Sequence, residues 1–246
     1  MVSKDQIVSS SFVRYGALPL GLIALVVVLR IFFFTPFRVM TTAQAPALRL
    51  GAWALARRTQ SPDRGSLILF HTERSGTSTS AQSLMVARVV ALPGDSLEVR
   101  SGQLFVNGVA VSDYRHPRDA REQYALRLPR EGGVYPLTST NLVAYRAALV
   151  EEQRLFAPAR GEVALHGLAP KDWLTALASN PYHTFRRDYY WVLTDDTSVA
   201  PDSRHLGILP ADAIEGVILL PYEGEPTHAT PRYGLRATCQ LFREAL

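Results

Sequence analysis

The 246 residues carry 26 Lys+Arg against 22 Asp+Glu, a small basic excess spread without a run of like charge, so nucleic acid is not an expected partner. Lysine occurs only at Lys4 and Lys171, and the arginines that supply the remaining positive charge cannot lose a proton to act as a general base. Cys239 is the only cysteine, which excludes an intrachain disulfide and a cysteine-rich metal site, leaves the redox compartment open, and is read as a small apolar core residue.

From Ala17 to Phe34 the sequence ALPLGLIALVVVLRIFFF is apolar except at Arg30, about the length that crosses a bilayer as a helix. Arg30 lies near the end of the run, where its side chain reaches the headgroups. Residues 16–36 are therefore read as a transmembrane helix after a flank, 1–15. A cleaved signal peptide fits less well, because FFFTPFRVMTTAQ is a bulky flank with a weak small-residue site at Thr42 to Gln44. Lys4 and Arg14 before the run, and Arg38, Arg49, Arg57 and Arg58 after it, choose no side of the membrane. About 200 residues remain for one continuous core.

Short apolar stretches follow between turn signals: WALARR, SLILF (66–70), MVARVVAL (85–92), SLEVR (96–100) and QLFVNG. Ser101-Gly102 and Asn107-Gly108 have hairpin chemistry, predicting a β-meander, with the polar stretch 71–83 as an exposed loop. This section, 37–114, is the first part of a β domain. From 115 to 187 a charged stretch leads to TSTNLVAYRAALVEEQRLF, apolar at helical spacing after Ser/Thr/Asn caps, which predicts a partly helical α/β insertion. Strand signals return in DYYWVL (188–193) and IEGVILLPY (214–222), so 188–246 completes the β domain with a peripheral tail ending in a short amphipathic stretch, Cys239 to Leu246. No repeat is present.

Three segments in order after the hydrophobic run carry a resemblance. VARVVALPGDSLEVRSGQLFVNG (Val86 to Gly108) holds a strand, a Pro-Gly-Asp turn and a hairpin. TDDTSVAPDSRHLGILPADAIEGVILLPY (Thr194 to Tyr222) holds Asp202-Ser203-Arg204. TPFRVMTTAQAPALRLGAW (Thr35 to Trp53) holds Pro46, Leu48 and Gly51. Together they resemble the boxes of type I signal peptidases, the Ser/Lys-dyad family.

The resemblance implies a mainly β fold: an antiparallel sheet domain with a partly helical insertion, anchored by one N-terminal transmembrane helix. It implies a location at the cell membrane, single-pass, with the bulk of the chain on the outer face. It also places the family's serine on Ala43, counting back from Pro46, and its lysine on Ala87, counting back from Arg88. The serine that serves the lysine falls on Ala200, and the oxyanion-hole hydroxyl falls on Thr41, which as a bare sequence feature also suits a turn cap. Asp202 and Arg204 are implied to be architectural partners, a carboxylate under a guanidinium fork. No catalytic pair is intact.

A serine hydroxyl is a weak nucleophile until a base takes its proton, and in a Ser/Lys dyad that base is a lysine whose pKa is lowered by burial. Alanine supplies neither function. Thr42 neighbours the serine position, but Lys171 lies in the insertion, where PKDWL reads as the start of an exposed helix. His71, His116, His166, His183, His205 and His228 show no spacing that recommends a triad. Thr42, Gln44, Thr197 and Ala200 also depart from the family's pattern, as a natural sequence drifts once catalysis stops mattering.

The expectation is a protease-inactive, membrane-anchored relative with a peptide-binding or accessory role in secretion. Its expected partners are the lipid bilayer and signal peptides or secretory preproteins, with no cofactor and no metal. Two alternatives stand beside it. One is an active type I signal peptidase using other residues, or represented here by a dyad knock-out; the other is a structural membrane scaffold.

Overall fold

The computed structural model describes residues 19–28, 32–73, 82–115, 123–156, 164–165, 168, 172–178, 180–196 and 201–219. Its architecture is mainly antiparallel β-sheet. Thirteen strands are described: β1 Phe34–Arg38, β2 Trp53–Arg57, β3 Leu67–Glu73, β4 Gln82–Ala91, β5 Ser96–Arg100, β6 Gln103–Val106, β7 Val109–Arg115, β8 Tyr124–Arg127, β9 Val134–Pro136, β10 Tyr182–Thr184, β11 Tyr189–Leu193, β12 Leu209–Pro210 and β13 Ile214–Leu219. Besides the helical residues 19–28 and 32–33, the described helices are α1 Leu142–Leu155, α2 Trp173–Leu177 and α3 Ser203–Leu206, with a 3₁₀ turn at Ala211–Ala213.

A seven-stranded sheet runs β1-β2-β13-β3-β4-β11-β12, a four-stranded sheet β7-β6-β5-β8, and β9 pairs with β10. In the centre of the larger sheet β3 is buried on both faces, because its apolar run is continuous rather than alternating. Leu67 and Leu69 enter one cluster with Phe37, Val39, Leu48 and Val86. Ile68 and Phe70 enter another with Ala87, Val89, Tyr190, Val192 and Ile214. The meander forms as the sequence predicts: Ser101 and Gly102, then Asn107 and Gly108, all take positive φ, the conformation of two-residue hairpin turns.

The membrane helix expected at 16–36 is helical at 19–28 and 32–33 among the described residues, and no described helix is long and apolar enough to cross a membrane. Residues 16–18 and 29–31, Arg30 included, lie outside the description. Residues 34–36 are already strand: Pro36 disfavours helix at Thr35 before it, and β1 instead pairs along β2. The loop expected at 71–83 is shorter, because the β3–β4 ladder continues through His71↔Leu84, Thr72↔Ser83 and Glu73↔Gln82; backbone pairing outlasts the apolar pattern there.

Described segments of the insertion, 115–187, pack against the rest of the fold. β8 pairs with β5, and Leu126, Leu128, Tyr145, Leu149, Trp173 and Phe185 share one cluster with Val90, Leu97, Tyr189 and Trp191. The core is therefore three apolar clusters rather than one. α1 lies where its period and caps predict, burying Leu142, Tyr145, Ala148, Leu149 and Glu152. The N-cap residue Asn141 bonds backward, accepting from the Thr138 amide at 2.8 Å and donating to the Pro136 carbonyl at 2.9 Å. In α2, Trp173 and Leu177 are buried, so this helix is not simply an exposed one. Lys4, Lys171, Thr197, Ala200 and the tail with Cys239 lie outside the described residues.

Candidate functional site

Ala43 and Ala87 are both fully buried. Ala87 sits on β4 opposite Ile68, inside the apolar cluster of Phe70, Val89, Tyr190, Val192, Leu209 and Ile214. Ala43 sits in a series of tight turns between β1 and β2, where the Ala45 amide donates to the Thr42 carbonyl at 2.9 Å and the Leu48 amide to the Gln44 carbonyl at 2.8 Å.

Two ties bring these segments together, and they flank Ala87. On one side, Gln44 Nε2 donates to the Val86 carbonyl at 3.4 Å. On the other, Arg88 grips Asp195 through Nε at 2.9 Å and Nη2 at 2.7 Å, and the next residue, Asp196, donates its amide to the Ala43 carbonyl at 2.8 Å. The guanidinium's remaining arm donates to the Gly65 carbonyl at 2.8 Å, so the fork is used in full. Nothing in the sequence pattern signalled Arg88 or Asp195; the pairing exists only because β4 and β11 meet at Arg88↔Leu193.

Thr41 Oγ1 accepts from the Ala43 amide at 3.1 Å, a short turn in which the threonine holds the backbone at Ala43. Asp202, fully buried, caps α3: it accepts from the Arg204 amide at 3.1 Å and from the Arg204 guanidinium at 2.9 and 2.7 Å. It also accepts from the Thr194 amide at 3.2 Å, which joins α3 to the turn that bears Asp195 and Asp196. Ser203 Oγ accepts from the Val192 amide at 2.9 Å and is buried, so its lone pair serves the sheet and not a reaction.

The described histidines do not complete a triad. His71 Nε2 lies 3.3 Å from Glu215 Oε2, and Thr35 donates its hydroxyl to Glu215 Oε1 at 2.8 Å. That order puts the carboxylate, not the imidazole, against the hydroxyl, whereas nucleophile activation needs the imidazole between them. His183 is buried against Glu152, its Nε2 3.1 Å from Oε2, inside the α1 interface. His205 is exposed at the end of α3. His116, His166 and His228 lie outside the described residues. Among the described residues no cluster of His, Cys, Asp and Glu is arranged to hold a metal ion.

The site is thus a framework of ion pairs and turns around two alanines, with no side chain at either position able to attack a carbonyl or take a proton. The family model described as signal peptidase, peptidase S26 matches residues 12–223 of this chain. Signal peptidase I U of Bacillus subtilis (strain 168) is 31% identical over 94 residues, 37% of this chain and 47% of that protein; the chain spans about half the length of that curated relative. The crystal structure of a signal peptidase I from Enterococcus faecalis V583 aligns with 64% of this chain and 96% of its own, at 21% identity and a TM-score of 0.29.

Proposed function

The chain belongs to the signal peptidase, peptidase S26 family, and from that membership we propose that it is a membrane-anchored, proteolytically inactive member that binds extended peptide and serves secretion as a binding or accessory protein. The observation that carries the reading is the surroundings of Ala87. Where the family's lysine would stand, a methyl group is enclosed by apolar side chains, and the residue at the family's serine position is the buried Ala43. Without a hydroxyl and a base, only positioning and charge stabilisation remain, and the members of such a catalytic unit are grossly non-additive.

Peptide binding is supported by β4, whose stretch from Gln82 to Ala87 pairs with β3 on one side while β11 pairs only with Arg88, Val89 and Ala91 on the other. An open ladder edge of this kind accepts an extended peptide as an added strand. Anchoring is supported by the helical residues 19–28 and 32–33, none of them charged, where Leu20, Leu22, Ile23 and Phe32 are each more than three-fifths exposed. The outer-face location follows the family expectation.

The test is to incubate the full chain, in detergent micelles, with a precursor bearing a signal sequence. The precursor is expected to be retained and recovered intact. Efficient cleavage by the unaltered chain would sink the reading.

A further inference from the structure

The open edge of β4 is not vacant along its whole length. Val89 faces β3, donating to the Ser66 carbonyl at 2.9 Å and accepting from the Gly65 amide at 2.7 Å. Strand backbone groups alternate sides, so those of Val86 and Leu84 point to the opposite edge, which no strand covers among the described residues. At Val86 that edge is met by a side chain, the Gln44 carboxamide, at 3.4 Å.

Gln44 is a costly residue to keep there. Its side chain is fully buried, the one hydrogen bond of its carboxamide is long, and its Oε1 is buried without a partner. An orphaned buried carbonyl is destabilising, a penalty that an apolar side chain of the same size would avoid. The donor it supplies to Val86 is the one that a guest strand's backbone N–H would supply. Leu84, two residues back along the same edge and half exposed, leaves a place for such a strand to begin.

We propose that Gln44 is a built-in stand-in for the bound peptide: its carboxamide caps the Val86 carbonyl, and an extended peptide adds to β4 by displacing it. The displaced side chain then satisfies both of its polar atoms in water, and the peptide N–H takes over at Val86. Affinity is thereby set by a competition within the chain, and Gln44 is the residue that limits it. This inference rests on the peptide-binding reading above.

The experiment measures binding of a fluorescein-labelled peptide containing an Ala-x-Ala segment to the full chain in detergent micelles, by fluorescence anisotropy. Gln44→Ala and Gln44→Ser both remove the carboxamide that must leave and put no long side chain in its place. Each is expected to tighten binding roughly three- to tenfold, the worth of one neutral hydrogen bond. Urea unfolding of both variants is expected to remain a single cooperative transition, so that the change in affinity is read on a folded chain. Equal affinities for parent and variants would overturn the proposal while leaving peptide binding in place. Weaker binding by the variants would overturn it by making Gln44 a direct peptide contact. No binding by any of the three would overturn the peptide reading itself and the proposal with it.

Discussion

Arg88 and Asp195, 107 residues apart in sequence, meet in two parallel hydrogen bonds of 2.9 and 2.7 Å, and the turn that Asp195 anchors also holds the Ala43 carbonyl. Because the pair is largely buried, truncation leaves a desolvated carboxylate with no fork to receive it. Arg88→Ala is expected to lower stability by about 1–3 kcal/mol in urea unfolding. Arg88→Lys should recover only part of that, since an ammonium cannot reproduce the fork. Full recovery by lysine would show that charge alone, not bidentate geometry, holds the turn.

Gly207 ends α3 with φ of 82°. A Cβ there would stand 2.5 Å from the Ala144 carbonyl of α1, and the neighbouring Ile208 amide donates to that same carbonyl at 3.3 Å. Gly207→Ala combines a left-handed backbone penalty with a backbone clash, so a loss of about 1–3 kcal/mol or more is expected. Chemical denaturation measures it, and an unchanged midpoint would mean that α1 does not pack on the Asp202 turn as described.

Glu152 gathers the insertion around one buried carboxylate. It accepts from the Tyr189 hydroxyl at 2.8 Å and the Arg186 amide at 3.1 Å, and it faces His183. Arg187 completes the knot from the side, bonding Asp212 at 2.9 Å and Glu151 at 3.1 Å. Removing one member of a buried charged network typically costs about 3–5 kcal/mol, and Glu152→Ala is expected in that range. A loss comparable to a surface substitution would show the insertion is held by its apolar cluster alone.

Much of the sheet was legible in the sequence, and the reasons differ by element. The hairpins at Ser101-Gly102 and Asn107-Gly108 were readable because positive φ needs particular residues at adjacent positions. The β1 strand was not, because Phe34 continues an apolar run and the choice between helix and strand there is made by pairing with β2. β9 and β10, three residues each, are too short for periodicity to mark. At the site, the positions Ala43, Ala87, Asp202 and Arg204 were assigned by local sequence pattern. Arg88–Asp195, Glu152–His183 and Gln44–Val86 were invisible to it, since each depends on segments that only the folded chain brings together.

Glu215 gives the fold a dependence on acid. Partial burial would raise its carboxyl, but hydrogen bonds from Thr35 and His71 and the charge of Arg58 outweigh that and hold it below the usual carboxylate range. A carboxyl depressed on folding adds stability above its unfolded pKa and loses it as pH falls through the folded one. Unfolding midpoints should therefore decline as pH drops below the ordinary glutamate range, and Glu215→Gln should flatten that decline. Identical acid profiles for parent and variant would remove Glu215 from the account.

The account holds that the framework around Ala43 and Ala87 persists while the reacting groups are gone. Its most direct test is the paired substitution Ala43→Ser with Ala87→Lys, assayed on a precursor bearing a signal sequence beside the parent and the two single variants. In the apolar cluster of Ile68, Phe70 and Val192, an introduced lysine would have its pKa lowered, as a general base requires. The prediction is precursor cleavage by the double variant alone. Cleavage by the unaltered chain, or a well-folded double variant that binds precursor and leaves it intact, would contradict the account.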